Sequence, residues 1–255
     1  MNCYAFRDAF KNCEETMERH IMGIVECLQQ RWEFNFLVKK VSRLLRTEEQ
    51  LVKDLTYIVA VLHDFGKMKK EFQERCRQGA CKSFPKHYIT SARFAMSVAF
   101  RSGTLTLNTA KEKVYNLLTK PTEPNRVYDL GDVYILSVVI PVLLHNYAHL
   151  QEESLLKAEH EMLMTIDECC REVYLRILEH VEKKYVITPT GKGLLKAIRN
   201  GLSNLEIELS ILSLLNPEVL LNYIPSTEKM VAEALTGLLN ICDGRVAYIN
   251  RGYLT

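Results

Sequence analysis

The sequence predicts an all-α fold, a helical bundle that forms a single domain. Apolar residues recur with a period near 3.6 along most of the 255-residue chain, whereas the alternating pattern of β-strands is scarce. The composition, 47% hydrophobic and 25% charged, is that of a globular protein with a substantial core. No repeat, low-complexity tract or linker divides the chain. We therefore expect one domain over residues 1–255.

Helices are predicted wherever the apolar residues keep this spacing. In chain order, these segments are residues 17–28, 51–62, 69–77, 86–100, 133–144, 152–184, 194–200, 205–215 and 228–249. Connections are predicted where polar residues, proline or glycine interrupt the pattern, at residues 101–108, 121–132 and 188–193. Gly191-Lys192 invites comparison with a phosphate-binding loop, but Val186 stands at the position of the first glycine and Gly193 at that of the final Ser or Thr. A built-in ATP-driven motor of that type is therefore not expected.

The uncharged stretch from Val133 to Leu150 is the one segment that raises the question of a membrane span. Its apolar part ends at Leu144 and is too short to cross a bilayer, and Pro141 and His145 interrupt it. We expect a buried helix of a globular domain instead.

Charge and cysteine content indicate a reduced, cytoplasmic protein. The net charge of +2 provides no overall basic field, so contact with nucleic acid must rely on local clusters such as residues 39–46 and 67–70. None of the eight cysteines forms a Cys-x-x-Cys pair, and the first residues do not resemble a signal peptide. These observations predict free thiols, several of them packed as small apolar residues.

A pair of metal-type ligands, His63 and Asp64, ends the apolar run of residues 51–62. A neutral imidazole next to a carboxylate suits a divalent metal and excludes an all-thiolate site. We expect Gly66 to adopt the left-handed backbone that ends a helix. Lys67 then adds a compact positive charge beside the metal, which suits a phosphate-containing substrate.

Further ligand-type residues lie on or beside other predicted helices. His20 flanks an apolar stripe, His87 opens a helix, His145 ends the buried run, and Asp243 sits on an apolar helix face. A polar group on such a face is costly without a partner, and a helical bundle can bring several of them to one metal.

With these residues in place, the sequence resembles the HD-domain superfamily of metal-dependent phosphohydrolases. Within it, the chain is similar to the CRISPR-associated HD nuclease, in the form that stands alone rather than fused to a helicase. The motifs that carry the resemblance are His63-Asp64-x-Gly66-Lys67 with Phe72-Gln73, Lys86-His87 with Ser91-Ala92, His145-Asn146, and Asp243-x-Arg245-x-Ala247.

The resemblance implies a ligand set of six residues. His20, His63, Asp64 and Asp243 would hold one metal, and Asp64 would bridge to a second metal held by His87 and His145. It also implies that Asp64 and Lys67 are catalytic, with Lys67 on the scissile phosphate, and it offers Ser91 and Arg245 as candidate substrate contacts. The cofactor would be one or two divalent ions per chain, drawn from Mn, Mg, Ni, Co and Fe.

One position departs from the family pattern, which has two consecutive histidines where this chain has His145-Asn146. An amide oxygen is a poorer ligand than imidazole for a transition metal. His149, one helical turn after His145, is an alternative ligand of the second metal.

The implied function is cleavage of single-stranded nucleic acid, preferably DNA, in type I CRISPR interference. The chain would act as an endonuclease or exonuclease in antiviral defence, alongside a separate helicase subunit and an RNA-guided effector complex. Two alternatives keep the same residues: a phosphohydrolase of nucleotides or cyclic nucleotides, and a catalytically weak assembly subunit. A closed, base-selective pocket would favour the former alternative, whereas Lys67, which a structural site does not need, argues against the latter.

Overall fold

The predicted all-α architecture is confirmed in the computed structural model, which describes residues 2–123, 125–146, 163–209 and 226–252. In chain order, the helices are α1 (Met17–Gln30), α2 (Trp32–Leu45), α3 (Glu49–Leu62), α4 (Lys70–Arg77), α5 (His87–Arg101), α6 (Leu107–Thr119), α7 (Leu130–Tyr134), α8 (Ile140–Leu144), α9 (Glu168–Lys184), α10 (Pro189–Gly201) and α11 (Thr227–Asn250). Short 3-10 helices cover Ala9–Lys11 and Phe65–Met68, and a π-helical turn covers Ile135–Val139.

Five short strands accompany the helices in the described residues: β1 (Tyr4–Asp8), β2 (Cys13–Thr16), β3 (Ala80–Cys81), β4 (Leu163–Thr165) and β5 (Glu206–Glu208). The first three form an antiparallel sheet in the order β2-β1-β3, and β4 pairs with β5 in a separate antiparallel ribbon. The N-terminal hairpin of β1 and β2 leads directly into α1, whose first turn is capped by the Thr16 hydroxyl.

The centre of the bundle is α3, which is buried almost continuously from Val52 to Leu62. A helix that is apolar all round belongs inside a protein, because every face then has a partner to pack against. The helices packed against α3 include α1, α2, α5, α9 and α10. The C-terminal end of α3 therefore reaches the interior, and His63 and Asp64 follow it there.

The buried helix predicted at residues 133–144 is confirmed, with a local widening that Pro141 explains. Proline lacks an N–H group and clashes with the carbonyl four residues earlier, here that of Ser137. The backbone relieves the clash by a π-helical turn, in which the Ile140 N–H bonds to the Ile135 carbonyl five residues back. The helix then continues as α8 and places His145 at its end. Within the described residues, no helix has the length and apolarity that a bilayer crossing requires.

Several predicted elements differ from those of the structure, and some predicted segments lie outside the described residues. Residues 206–208 form a strand rather than part of a helix over 205–215, because their alternating polar and apolar side chains pair with β4. The predicted helix over 152–184 is confirmed from residue 168 onward, whereas residues 163–165 form β4; residues 147–162 and 210–225 lie outside the described residues. The interruption at 188–193 is the start of α10, because the Thr188 hydroxyl accepts a hydrogen bond from the Gly191 N–H and Pro189 suits a first turn.

The prediction of free thiols was wrong for six of the cysteines. Disulfides join Cys3 to Cys170, Cys27 to Cys242 and Cys76 to Cys81. The first two span 167 and 215 positions of the sequence, so spacing could not indicate them. Only the fold brings their Cα atoms to 4.9 and 5.7 Å, within the range that a disulfide needs.

We therefore expect two of the eight cysteines, Cys13 and Cys169, to react with iodoacetamide in denaturant before reduction, and all eight after it. Because cross-links that close long loops restrict the unfolded chain, Cys27→Ser should destabilise the fold by about 2–5 kcal/mol. Cys13→Ser is the matched control, since Cys13 is unpaired. Labelling of all eight cysteines before reduction would contradict the disulfide assignment.

Candidate metal centre

The centre of the site is the carboxylate of Asp64, which is 1% exposed. Asp64 follows directly on His63, the residue that closes α3, and it precedes the 3-10 helix of Phe65–Met68. The two carboxylate oxygens of Asp64 face two different groups of imidazoles, so the site divides into an Oδ2 side and an Oδ1 side.

On the Oδ2 side, Asp64 meets two histidines and a lysine. Its Oδ2 atom lies 3.1 Å from Nε2 of His20, 3.4 Å from Nε2 of His63 and 2.5 Å from Nζ of Lys67. The Oδ1 atom of Asp243 lies 3.2 Å from the same nitrogen of His20. His20, His63, Asp64 and Asp243 thus come together although they belong to α1, the end of α3 and α11.

On the Oδ1 side, Asp64 meets the other two histidines. Its Oδ1 atom lies 3.1 Å from Nε2 of His87 and 3.6 Å from Nε2 of His145, and these two nitrogens are 3.2 Å apart. The Nδ2 group of Asn146 lies 3.0 Å from Nε2 of His87. Asn146 therefore sits at the second group, where the family pattern has a histidine.

All four imidazole rings are oriented in the same way, with Nδ1 bonded to an acceptor and Nε2 facing Asp64. The Nδ1 atoms of His63, His87 and His145 lie 2.8, 2.6 and 2.6 Å from the carbonyls of Ala60, Phe84 and Val142, each three residues earlier. Carbonyl oxygens only accept, so these Nδ1 atoms carry the proton and the Nε2 lone pairs point to Asp64. Metal-binding histidines are typically oriented in this way.

Glu15 performs the same task for His20 and was missed by sequence reasoning. Its fully buried carboxylate accepts from Nδ1 of His20 at 2.8 Å, and Asn250 and Arg251 at the end of α11 donate to it at 2.8 and 3.0 Å. An acidic residue on the inward side of β2, five positions before the histidine, was the available signal. The hairpin that carries Glu15 was not predicted, so that signal had no structural context.

The charges of the centre favour a cation. Burial opposes ionisation of Asp64, but the positive charge of Lys67 and the neighbouring histidines hold the pKa of its carboxyl well below the usual range. Burial alone would also depress the pKa of His20, yet the carboxylates of Asp243, Asp64 and Glu15 raise that pKa well above its ordinary value. Burial lowers the pKa of His145 to about 4, so this imidazole is neutral at pH 7 and keeps its lone pair.

The residues present fit a divalent metal on both sides of Asp64. Nε2 of His20 and Nε2 of His63 are buried and face carboxylate oxygens, at 3.1 and 3.2 Å from His20 and 3.4 Å from His63, without a hydrogen bond of good geometry among the described residues. On the other side, three acceptors, Oδ1 of Asp64 and Nε2 of His87 and of His145, crowd together. Such an arrangement is unfavourable unless a cation lies between the acceptors. His20, His63 and Asp64 form one group able to hold a metal, and Asp64, His87 and His145 form another.

Gly66 is required for a reason other than the predicted one. The left-handed backbone expected there was wrong, because Gly66 lies in the 3-10 helix and is absent from the positive-φ residues of the described chain. A Cβ at this position would lie 2.2 Å from the carbonyl oxygen of His87. The glycine thus permits the turn after Asp64 to pack directly against the start of α5, which brings His87 to the site.

Ser91 supports the same contact, and its candidate role as a substrate contact stays a prediction. Its hydroxyl accepts a hydrogen bond of 2.9 Å from the Gly66 N–H, and the residue is fully buried. The hydroxyl is enclosed between α5 and the 3-10 helix, and its hydrogen bond fixes α5 against the turn that carries Asp64.

The backbone of Lys67 is also fixed by a hydrogen bond. Gln73 on α4 donates from Nε2 to the Lys67 carbonyl at 2.8 Å and to the Tyr4 carbonyl at 2.9 Å, while its own Oε1 accepts from the Tyr4 N–H. The ammonium of Lys67 lies 5.4 Å from the centre of the Phe84 ring. A fixed backbone and a ring contact keep this buried cation at the centre.

Two further candidates do not join the centre in the described chain. Arg245 is exposed and lines a shallow surface groove with Gly23, Glu26 and Val246, between α1 and α11. Two residues along a helix correspond to a rotation of about 200°, so Arg245 and Asp243 face different ways. His149 lies outside the described residues.

We expect Gly66→Ala to disturb the Oδ1 side selectively, because the new methyl group would displace the backbone of His87. With wild-type protein that holds a metal at both sites as the reference, bound metal in the variant should be lower by roughly one equivalent. Elemental analysis of the purified proteins measures this difference, which is as large as the effect of removing one metal-binding side chain. Gly193→Ala in α10 is the control, since a Cβ there has no neighbour within 4 Å. Equal metal content in the two variants would contradict the role assigned to Gly66.

The geometry agrees with a comparison against protein families. Residues 18–99 match the family model described as Cas3, HD domain. This segment contains His20, His63, Asp64, Lys67 and His87, whereas His145 and Asp243 lie beyond it. No curated protein sequence matches the chain. The matched segment, about a third of the chain, is similar to the HD domain of Cas3, and this match together with the two groups around Asp64 supports a metal-dependent hydrolase of the HD type.

Proposed function

We propose that this chain is the separate nuclease subunit of a type I CRISPR interference system and that it cleaves single-stranded DNA. Six residues would hold two divalent ions, His20, His63, Asp64 and Asp243 the first, and Asp64, His87 and His145 the second. The observation that carries the proposal is the position of Asp64, whose two oxygens each face a separate pair of histidine Nε2 atoms.

The chemistry follows from that arrangement. Divalent ions held as a pair supply a Lewis acid for the phosphodiester and a hydroxide at neutral pH. The task of the protein is to aim its ligand atoms at the ions. The backbone carbonyls behind His63, His87 and His145, and the Glu15 carboxylate behind His20, perform this task by holding the Nδ1 side of each ring.

Lys67 is proposed to bind the scissile phosphate. Its ammonium is 2.5 Å from Oδ2 of Asp64, so it already lies beside the centre where a phosphate oxygen would approach. A compact, buried positive charge there offsets the negative charge that develops on the phosphoryl oxygens.

The substrate is proposed to enter past Asp243, whose side chain is 29% exposed while that of His20 is fully buried. The proposed substrate at this edge is a strand that presents its phosphate without a complementary strand beside it. A partner helicase and an RNA-guided complex would supply such a strand, in the cytoplasm where both would act.

Asp64→Ala should abolish hydrolysis of single-stranded DNA, because it removes the carboxylate that both groups of histidines share. Lys67→Ala should reduce the rate by roughly 10²-fold, as expected for loss of one charged group that stabilises a transition state, and should leave bound metal unchanged. Cleavage rates and metal content of the two variants, measured side by side, separate these roles.

Lys70→Ala is the matched control for Lys67→Ala, since Lys70 is exposed on α4 three residues away. Full cleavage by metal-stripped Asp64→Ala protein would contradict the assignment of Asp64. Loss of metal from Lys67→Ala would show that the lysine supports the site rather than the phosphate.

Asn146→His should raise the affinity of the second site for manganese, cobalt or nickel, because imidazole is a better ligand for these ions than an amide. Asn146 already contacts Nε2 of His87, so the new ring would lie at that site. Metal titrations of the cleavage rate for the wild type, Asn146→His and His149→Ala test this. If Asn146→His has no effect while His149→Ala abolishes metal dependence, His149 is the ligand instead.

A further inference from the structure

One face of α2 exposes aromatic and basic side chains together. Trp32 is 74% exposed and Phe36 63% exposed, although both are large apolar residues. Lys39, Lys40 and Arg43 are exposed on the same helix. At about 100° per residue, these five side chains fall within an arc of about 100° and extend along about 16 Å of the helix. We call this surface the α2 stripe.

The opposite face of α2 accounts for the packing of the helix, so the α2 stripe has no part in the core. Phe34, Val38, Val41 and Leu45 are buried on that inner face. Exposed large aromatics cost free energy in water unless a partner covers them, and two of them one turn apart form a continuous platform.

The charge of the α2 stripe is one-sided. Lys39, Lys40 and Arg43 form no ion pair with another described residue, and the one acidic residue of α2, Glu33, is paired with Arg31 at 2.6 Å. Unpaired cations beside stackable rings are the combination that binds a single-stranded nucleic acid, with bases on the rings and phosphates on the cations. A membrane surface fits less well, because the arc holds only two apolar side chains among three charges.

We infer that the α2 stripe is a binding site for single-stranded nucleic acid, separate from the metal centre. This inference rests on the proposed function only for the identity of the ligand, a single-stranded nucleic acid. The stripe begins next to the C-terminal end of α1, about 15 Å along that helix from His20. A strand bound there would be retained at a distance from the scissile phosphate, which suits a nuclease that acts repeatedly on one strand.

Trp32 is the only tryptophan of the chain, so intrinsic fluorescence reports on the α2 stripe directly. We expect oligothymidylate to quench Trp32 saturably in the Asp64→Ala protein, and also in wild type with EDTA should that variant fold poorly. Phe36→Ala should raise the Kd by about five- to a hundredfold, the usual loss for one stacked base. Trp32→Ala should do the same, measured by anisotropy of a labelled oligonucleotide.

Replacing Lys39, Lys40 and Arg43 with Gln should reduce the slope of log K against the logarithm of salt concentration. The reduction should be up to about two, because each phosphate contact contributes about 0.7 to that slope. A triple variant of Lys183, Lys192 and Lys196 to Gln removes the same charge from α9 and α10 and is the control, as is Tyr115→Ala for the aromatics. Hydrolysis of bis-p-nitrophenyl phosphate should stay unchanged in all α2 variants, because that substrate is too small to reach the stripe.

Three results would overturn the inference: no quenching by oligothymidylate, equal losses in the control variants, or a blue shift of Trp32 on anionic vesicles in place of a response to DNA. Failure of the proposed nuclease function is distinct, because it would appear as absent metal-dependent hydrolysis of the small diester. A protein that still hydrolyses that diester and single-stranded DNA, with unchanged affinity in the α2 variants, would reject the α2 stripe alone.

Discussion

The structure depends on one buried carboxylate. Asp64 is 1% exposed, and a charge in that position is tolerated only where opposite charges and donors surround it. Lys67 supplies such a charge, and four imidazoles face the carboxylate through Nε2; these groups come from α1, the end of α3 and the turn after it, the start of α5 and the end of α8. The packing of these helices and the ionisation of Asp64 are therefore two aspects of one arrangement.

Close backbone contacts at helix ends set the distances within this arrangement. Gly66 allows the turn after Asp64 to touch the carbonyl of His87, and Ser91 ties the two segments with a hydrogen bond. Pro141 opens a π-helical turn just before His145. Each histidine is then oriented by an acceptor behind its ring, so the proposed ligands are in position before any metal binds.

Covalent links reinforce the same helices. The Cys27–Cys242 disulfide joins α1 to α11 directly beside Asp243, and Cys3–Cys170 joins the N-terminal strand region to α9. The helices that carry His20 and Asp243 are thus fixed relative to each other by a bond as well as by packing. Such a link limits how far the more exposed candidate ligand, Asp243, can move away from His20.

The sequence by itself determined the helical class and the boundaries of α1, α4 and α5 within a few residues. It also singled out the candidate ligands His20, His63, Asp64, His87, His145 and Asp243, because periodicity and unusual polar residues on apolar faces are local signals. Only the tertiary structure decided what each neighbour does. Glu15, the close approach at Gly66, the burial of Ser91 and the disulfides depend on contacts between segments far apart in the chain, and no local pattern of residues encodes those distances.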